Sequence, residues 1–173
     1  MAHLKNVAIL LAVLINVLLL PSFNAGPRFD QQNGCDGRIS VKRYVVISDK
    51  SRTFLEAWRF CASFGLRLAT VTSAEESRLL DQAVNGTGNV PAGSTWWIGG
   101  TNLGREGSFI WISTNLPVGY KTGYFNFSPG QPDNYKGVEN CLEIGRFGPT
   151  MWNDMPCDTK LHFVCEDFDI SEK

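Results

Sequence analysis

Cysteines stand at positions 35, 61, 141, 157 and 165 of a 173-residue chain, and the segment at its start decides what they do. Lys5 precedes a mostly apolar run from Val7 to Leu20, closed by Pro21 and followed by small or polar residues through Ala25 and Gly26. That is the layout of a secretory signal peptide. A membrane-spanning helix needs about 20 apolar residues, and Pro21 stops this run short. Residues 1–25 therefore read as a cleaved signal, and the mature chain as extracellular, where thiols oxidise. Five cysteines there imply disulfides with one sulfur left over, and arithmetic leaves the pairing open. Cys35 precedes the first strand, which makes it the odd one: a cross-link to another chain, or an unpaired or capped thiol.

Two helices are announced by their caps. Thr53-x-x-Glu56 is a capping box, followed at helical spacing by Leu55, Trp58 and Ala62, with Gly65 as terminator. Ser73-x-x-Glu76 repeats the device, with Leu79, Leu80 and Ala83 behind it and Gly86 at the end. Both stripes read as core. Short strands are expected at Tyr44–Ile47, Trp97–Gly99, Phe109–Ile112, Cys141–Ile144 and His162–Cys165, separated by Gly-, Pro- and Asn-rich segments. Helices early and strands mostly late give an α+β fold. The organisation is then a linker over residues 26–38 carrying Cys35, one domain over 39–167 and a short tail over 168–173. Within it, residues 113–140 form a long stretch with little regular pattern, the usual mark of a functional loop.

A formal net charge of -1 gives no reason to expect nucleic acid as a partner. Arg38, Lys42, Arg43, Lys50 and Arg52 gather loosely around the first strand. Spread over strand and turn rather than packed together, they read as a solvated face and not as a polyanion patch.

Chemistry concentrates near the C-terminus. Gln131-Pro132-Asp133, Glu139-Asn140-Cys141 and Trp152-Asn153-Asp154 supply the carboxylates of Asp133, Glu139 and Asp154 and the amide oxygens of Gln131 and Asn153, with no histidine among them. Calcium takes roughly 6–8 oxygen ligands in flexible geometry, whereas zinc or copper sites recruit imidazole or thiolate. Ca²⁺ is the cation this inventory suits. Paired carboxylates such as Asp133 and Glu139 could also serve a glycosidase, but a carboxylate bound to calcium does not readily hold a catalytic proton. The two histidines are His3, in the signal, and His162, beside the last strand. With no nucleophile–base motif in view, an enzyme is not expected.

Taken in order, Trp97-Ile98-Gly99-Gly100, Gly107-Ser108-Phe109-Ile110-Trp111, Gln131-Pro132-Asp133, Glu139-Asn140-Cys141, Trp152-Asn153-Asp154 and Phe163-Val164-Cys165 resemble a C-type lectin domain. The resemblance runs from about Tyr44 to Glu166 and is to small secreted invertebrate lectins of galactose type. It implies a double-loop α+β fold with short antiparallel sheets, disulfides pairing Cys61 with Cys165 and Cys141 with Cys157, and a cis bond between Gln131 and Pro132. It also implies a sugar-binding calcium in the long loop, held by Gln131, Asp133, Glu139, Asn153 and Asp154. Mannose-type members carry Glu-Pro-Asn where this chain has Gln131-Pro132-Asp133, and the exchange reverses donors and acceptors around a pair of sugar hydroxyls. Tyr135 matches the position where galactose-type relatives place a stacking tryptophan, while Trp152, Trp97 and Trp111 read as core. Asn102, Glu106, Asn134 and Asn140 fall near the positions of a second calcium, but three are amides where relatives often carry carboxylates, which argues against a tightly held second ion. Asn85-Gly86-Thr87 and Asn126-Phe127-Ser128 are N-glycosylation sequons, the second followed by Pro129. The function implied is a secreted, calcium-dependent lectin for terminal galactose or GalNAc-like glycans on cell or microbial surfaces, in innate defence or agglutination. The rival is a domain of the same fold that binds a protein partner, or serves as a disulfide-linked subunit, without sugar.

Overall fold

The computed structural model describes residues 40–88 and 93–170. The signal, the linker with Cys35 and residues 171–173 lie outside the described residues. Two local devices start the helices. Glu56 Oε2 accepts a hydrogen bond from the Thr53 amide at 3.0 Å, opening α1 (Phe54–Ser63). Ser73 Oγ accepts from the Glu76 amide at 3.1 Å, opening α2 (Ala74–Asn85). Gly65 follows α1 with φ +71°, a left-handed turn that costs glycine little.

The buried face of α1 is not the one expected from sequence. Phe54, Ala57 and Cys61 are buried, whereas Leu55 and Trp58 are exposed and Ala62 also faces out. Two anchors fix this phase: Phe54 packs edge-on against Trp97 at 5.8 Å, and Cys61 is disulfide-bonded to Cys165. The rejected stripe begins one residue later, a rotation of about 100° on a helix of 3.6 residues per turn. In α2 the buried residues are Ser77, Leu80 and Val84, with Leu79 and Ala83 half-buried against the same core.

The strands form one mixed sheet. β1 (Ser40–Arg52) runs antiparallel to β8 (Leu161–Ile170), starting from Ser40 opposite Ile170, so the two ends of the domain close on each other. β2 (Arg67–Leu68) also pairs with β8. β3 (Trp96–Thr101) lies parallel to β8 and antiparallel to both β4 (Ile110–Trp111) and β6 (Cys141–Ile144). β5 (Leu116–Pro117) extends the edge beyond β4, and β7 (Trp152–Met155) pairs with β6. This is the α+β architecture expected from sequence, with β1 and β8 longer than anticipated and β2, β5 and β7 additional.

Successive side chains of a strand point to opposite faces, and β3 is covered on both. Trp96 and Ile98 enter one apolar cluster with Leu80, Trp111, Leu142 and Trp152; Trp97 enters the other with Phe54, Phe163 and the disulfide cysteines 61, 141 and 165. Gly100 permits this packing, because a Cβ there would overlap the Leu142 side chain.

Lys42 departs from the solvated face read from sequence. It is buried, its Nζ donating to Thr70 O at 2.8 Å and Glu76 Oε2 at 2.8 Å and lying 3.1 Å from Glu166 Oε2. A buried ammonium survives only with such partners, and α2 brings Glu76 over β1 to supply one of them. Arg43, by contrast, is exposed and meets Asp167 at 2.7 Å.

Candidate functional site

The long segment after β5 is fastened to β7 by its backbone. Trp152 N donates to Asn126 O at 2.8 Å and Ser128 N to Trp152 O at 2.9 Å, flanking a bridge from Phe127 to Trp152. Beneath it the fully buried Trp152 is met edge-on by Phe127 at 5.3 Å and Trp111 at 5.6 Å. Such edge-to-face stacks favour one relative orientation, so the loop rests on a defined aromatic floor. The Gln131–Pro132 bond is cis. Cys141 and Cys157, with Cα atoms 5.2 Å apart, tie the start of β6 to the chain just after β7.

Above this floor the carboxylate oxygens of Asp133, Glu139 and Asp154 approach within 4.8 Å of one another. Each arrives differently. Asp133 is on the exposed loop; Asp154 is on β7, buried, and opposite Leu142 of β6; Glu139 sits just before β6, also buried. The group is held by backbone amides. Asp154 accepts from the amides of Asp133 at 3.2 Å and Asn134 at 2.9 Å, and Glu139 Oε2 accepts from the Tyr135 amide at 3.0 Å. Asn134 and Lys136 have positive φ, 45° and 58°, a conformation uncommon outside glycine that turns successive N–H groups toward the carboxylates.

Electrostatics give the cluster its character. The Glu139 carboxyl is held above its ordinary range, first by burial and then by the Asp154 and Asp133 charges, against the lowering effect of the Tyr135 amide. Like charges gathered at this distance favour a bound cation, and an all-oxygen donor set suits a hard one.

The two amides of the expected ligand set are tied in separately. Gln131 Oε1 accepts from the Asp133 amide at 3.0 Å. Asn153 adjoins Asp154 on β7 and donates from Nδ2 to Glu143 Oε1 at 3.1 Å. Glu143 was not among the residues expected from sequence. Its one signal is an acidic residue inside the otherwise apolar strand Cys141-Leu142-Glu143-Ile144. It is 1% exposed, its Oε2 has no well-formed hydrogen bond among the described residues, and burial pushes its carboxyl up to about 7 against the lowering effects of Asn153 and of the Arg146 charge and backbone.

Tyr135 stands at the rim, 61% exposed, with Lys136 Nζ 5.2 Å from its ring centroid. At the neighbouring positions, Asn134 Nδ2 donates to Glu106 Oε1 at 2.7 Å and Asn134 Oδ1 accepts from the Glu139 amide at 3.1 Å. Asn102 is buried and its Oδ1 has no hydrogen-bond partner among the described residues. The sequons differ in setting. Asn85 is exposed at the end of α2, whereas Asn126 is half-buried with Nδ2 on Thr150 O at 2.8 Å, and Ser128 is buried. Among the described residues no helix is long and apolar enough to cross a membrane.

Residues 50–167 match the family model described as Lectin C-type domain. Perlucin of Haliotis laevigata is 33% identical over 115 residues, covering 66% of this chain and 69% of its own. Salivary C-type lectin 2 of Aedes albopictus is 28% identical over 140 residues, 76% of this chain and 88% of its own. Among solved structures, the mouse scavenger receptor C-type lectin carbohydrate-recognition domain aligns with a TM-score of 0.61 at 28% identity, over 75% of this chain and 92% of that one. A calcium-independent type II antifreeze protein aligns with a TM-score of 0.59 at 21% identity, over 73% and 86%, a likeness of fold alone.

Proposed function

The chain belongs to the C-type lectin domain family, and from that premise we propose that it is an exported, calcium-dependent lectin of galactose type. Residues 1–25 direct export and residues 39–167 bind the glycan. The observation that carries the reading is the cluster of Asp133, Glu139 and Asp154, oxygens within 4.8 Å of one another, bordered by Gln131 ahead of Asp133. Asp133, Glu139 and Asp154, with the amide oxygens of Gln131 and Asn153, would hold the ion. When bound, calcium supplies coordination positions for two adjacent sugar hydroxyls.

The chain's own groups then divide the remaining work. Both Asp154 oxygens already take backbone N–H bonds, which leaves that side chain to the cation. Glu139 uses one oxygen on the Tyr135 amide and keeps the other as an acceptor. Hydroxyls donate to carboxylates and accept from amide N–H groups, so an amide at 131 and a carboxylate at 133 set the direction of the hydrogen bonds, which supports galactose over mannose. An axial 4-hydroxyl leaves one sugar face lined by C–H groups, for which the exposed Tyr135 ring is a suitable surface.

A single such contact is weak; a millimolar Kd is about -4 kcal/mol. Two linked sites gain roughly 10²–10⁴ in avidity, which gives a cross-link through Cys35 a use on a cell or microbial surface. The rival is a domain of this fold that binds a protein partner or serves as a disulfide-linked subunit without sugar, but three converging carboxylates are a costly arrangement for a chain with no cation to bind. The test is retention on immobilised galactose and mannose with and without chelator, extended to a glycan array. Galactose retention released by chelator is expected. Retention that survives chelation, or binding to mannose alone, overturns the reading.

A further inference from the structure

We propose that Glu143 is a positioning residue for the ion site: its buried carboxyl group takes the N–H end of the Asn153 amide and so leaves the oxygen end to the cation. The inference rests on the calcium reading above. Glu143 and Asn153 are directly opposed across the β6–β7 pair, with Oε1 to Nδ2 at 3.1 Å. On its other flank Glu143 is opposed by Trp97 of β3, so the carboxyl group is enclosed in the middle of the sheet at 1% exposure.

Fold stability alone does not account for this residue. Leu142 and Ile144 beside it are fully buried and apolar. A carboxyl group in the middle of the sheet costs stability unless hydrogen-bonded, and beyond Asn153 Glu143 has only the Arg146 backbone and charge acting on it, with no well-formed hydrogen bond at Oε2 among the described residues. An aliphatic side chain would suit the sheet better. What Glu143 provides is orientation. An amide side chain can sit either way round in similar space, and only the end facing its neighbour decides which atom points elsewhere. The ionised carboxylate, whose oxygens only accept, takes Nδ2 at 3.1 Å and would repel Oδ1, so it selects one of the two orientations. Partners that orient metal ligands in this way typically change metal affinity by about 10–100-fold when removed.

Exchanging donors and acceptors separates Glu143 from a merely structural residue. Glu143→Leu removes the acceptor: calcium affinity measured by calorimetry should fall about 10–100-fold, while the melting temperature in chelator stays level or rises. Glu143→Gln can still accept from Nδ2 through its own carbonyl oxygen and should rescue affinity to within about threefold. Asn153→Asp adds a carboxylate to the ion set, yet sets it against Glu143 with no N–H between them, and in alkaline buffer, where the two carboxyls cannot share a proton, should bind calcium about tenfold more weakly than wild type. Combining Asn153→Asp with Glu143→Gln supplies an amide N–H to the new carboxylate and should recover that loss, a non-additive result that altered packing would not give.

Wild-type calcium affinity in Glu143→Leu, or additive effects of the two substitutions in the double variant, overturns the positioning role and leaves the lectin reading standing. A wild-type protein that binds no calcium overturns both.

Discussion

Replacing Glu139 by glutamine should reverse the sign of its effect on stability when calcium is added. The carboxylate oxygens of Asp133, Glu139 and Asp154 lie within 4.8 Å of one another. At that separation two unit charges repel by about 3.5 kcal/mol at an effective dielectric near 20, and by about 1 kcal/mol in bulk water. Asp154 and Glu139 are both buried, so their pair lies toward the first figure; Asp133 is exposed, so its pair lies toward the second. Allowing for screening at the solvent edge, neutralising Glu139 relieves roughly 1–3 kcal/mol in chelator. Glutamine keeps an oxygen for the Tyr135 amide, so the 3.0 Å hydrogen bond need not be lost. For a domain of this size about 1 kcal/mol moves Tm by roughly 3–5 °C, and the variant should melt about 3–15 °C above wild type in excess chelator.

In saturating calcium the order should invert. A ligand at about 1,000 times its Kd stabilises by about 4.1 kcal/mol, more than the relief in chelator. Wild type gains that amount and Glu139→Gln, lacking one charged ligand, gains little of it. The assay is thermal melting of both proteins in chelator and in a calcium series. A variant less stable than wild type by the same margin in both conditions would refute the reasoning, because Glu139 would then be a structural carboxylate whose charge is not held against its neighbours.

The remaining expectations concern pH, the rim and modification. Because the Glu143 carboxyl is raised from 4.5 to about 7, the folded state retains a proton that the unfolded chain releases; stability in chelator should fall as pH rises through that window, by about 2 kcal/mol between roughly pH 5.5 and 7.5. Chemical denaturation along a pH series measures this, and the slope should flatten in Glu143→Gln. Tyr135→Ala should weaken galactose binding by about 1 kcal/mol, the usual size of an aromatic contact beyond area, with calcium affinity unchanged; equal loss of both in titration calorimetry would place the ring in the metal site instead. Mass spectrometry of the protein expressed through a eukaryotic export pathway should find a glycan on Asn85 and none on Asn126, whose Nδ2 is committed to Thr150 O; a fully occupied Asn126 would contradict the burial of its sequon.

What was legible in the sequence tracks how local the determining physics is. The capping boxes at Thr53 and Ser73 act within one turn, and both helices start where their caps say. The strand Cys141–Ile144 carries its apolar signal in Cys141, Leu142 and Ile144, and its expected bounds are the observed ones. The sequence misplaces the phase of α1 because Phe54, Ala57 and Cys61 are selected by Trp97 and Cys165, residues remote in sequence, while Leu55 and Trp58 offer an equally good stripe nearby. β7 was missed because Trp152-Asn153-Asp154-Met155 contains residues that disfavour strands and becomes one only by pairing with β6. Lys42 looked solvated for the same reason: Glu76 and Glu166, which make its burial tolerable, arrive from elsewhere in the chain.

The candidate site lies between these extremes. The identity of the carboxylates could be read as composition, because a hard cation needs oxygen and nothing else nearby supplies so much of it. Their arrangement could not, because it depends on three backbone amides, those of Asp133, Asn134 and Tyr135, donating to Asp154 and Glu139. Those hydrogen bonds require the turn at Asn134 and Lys136 with its positive φ values, and neither residue advertises that conformation as strongly as a glycine would. The same bonds explain how three mutually repelling carboxylates can share one place in the fold. Each N–H offsets part of the repulsion, Glu139 remains raised despite its amide partner, and the residual excess of negative charge is what a divalent cation would neutralise.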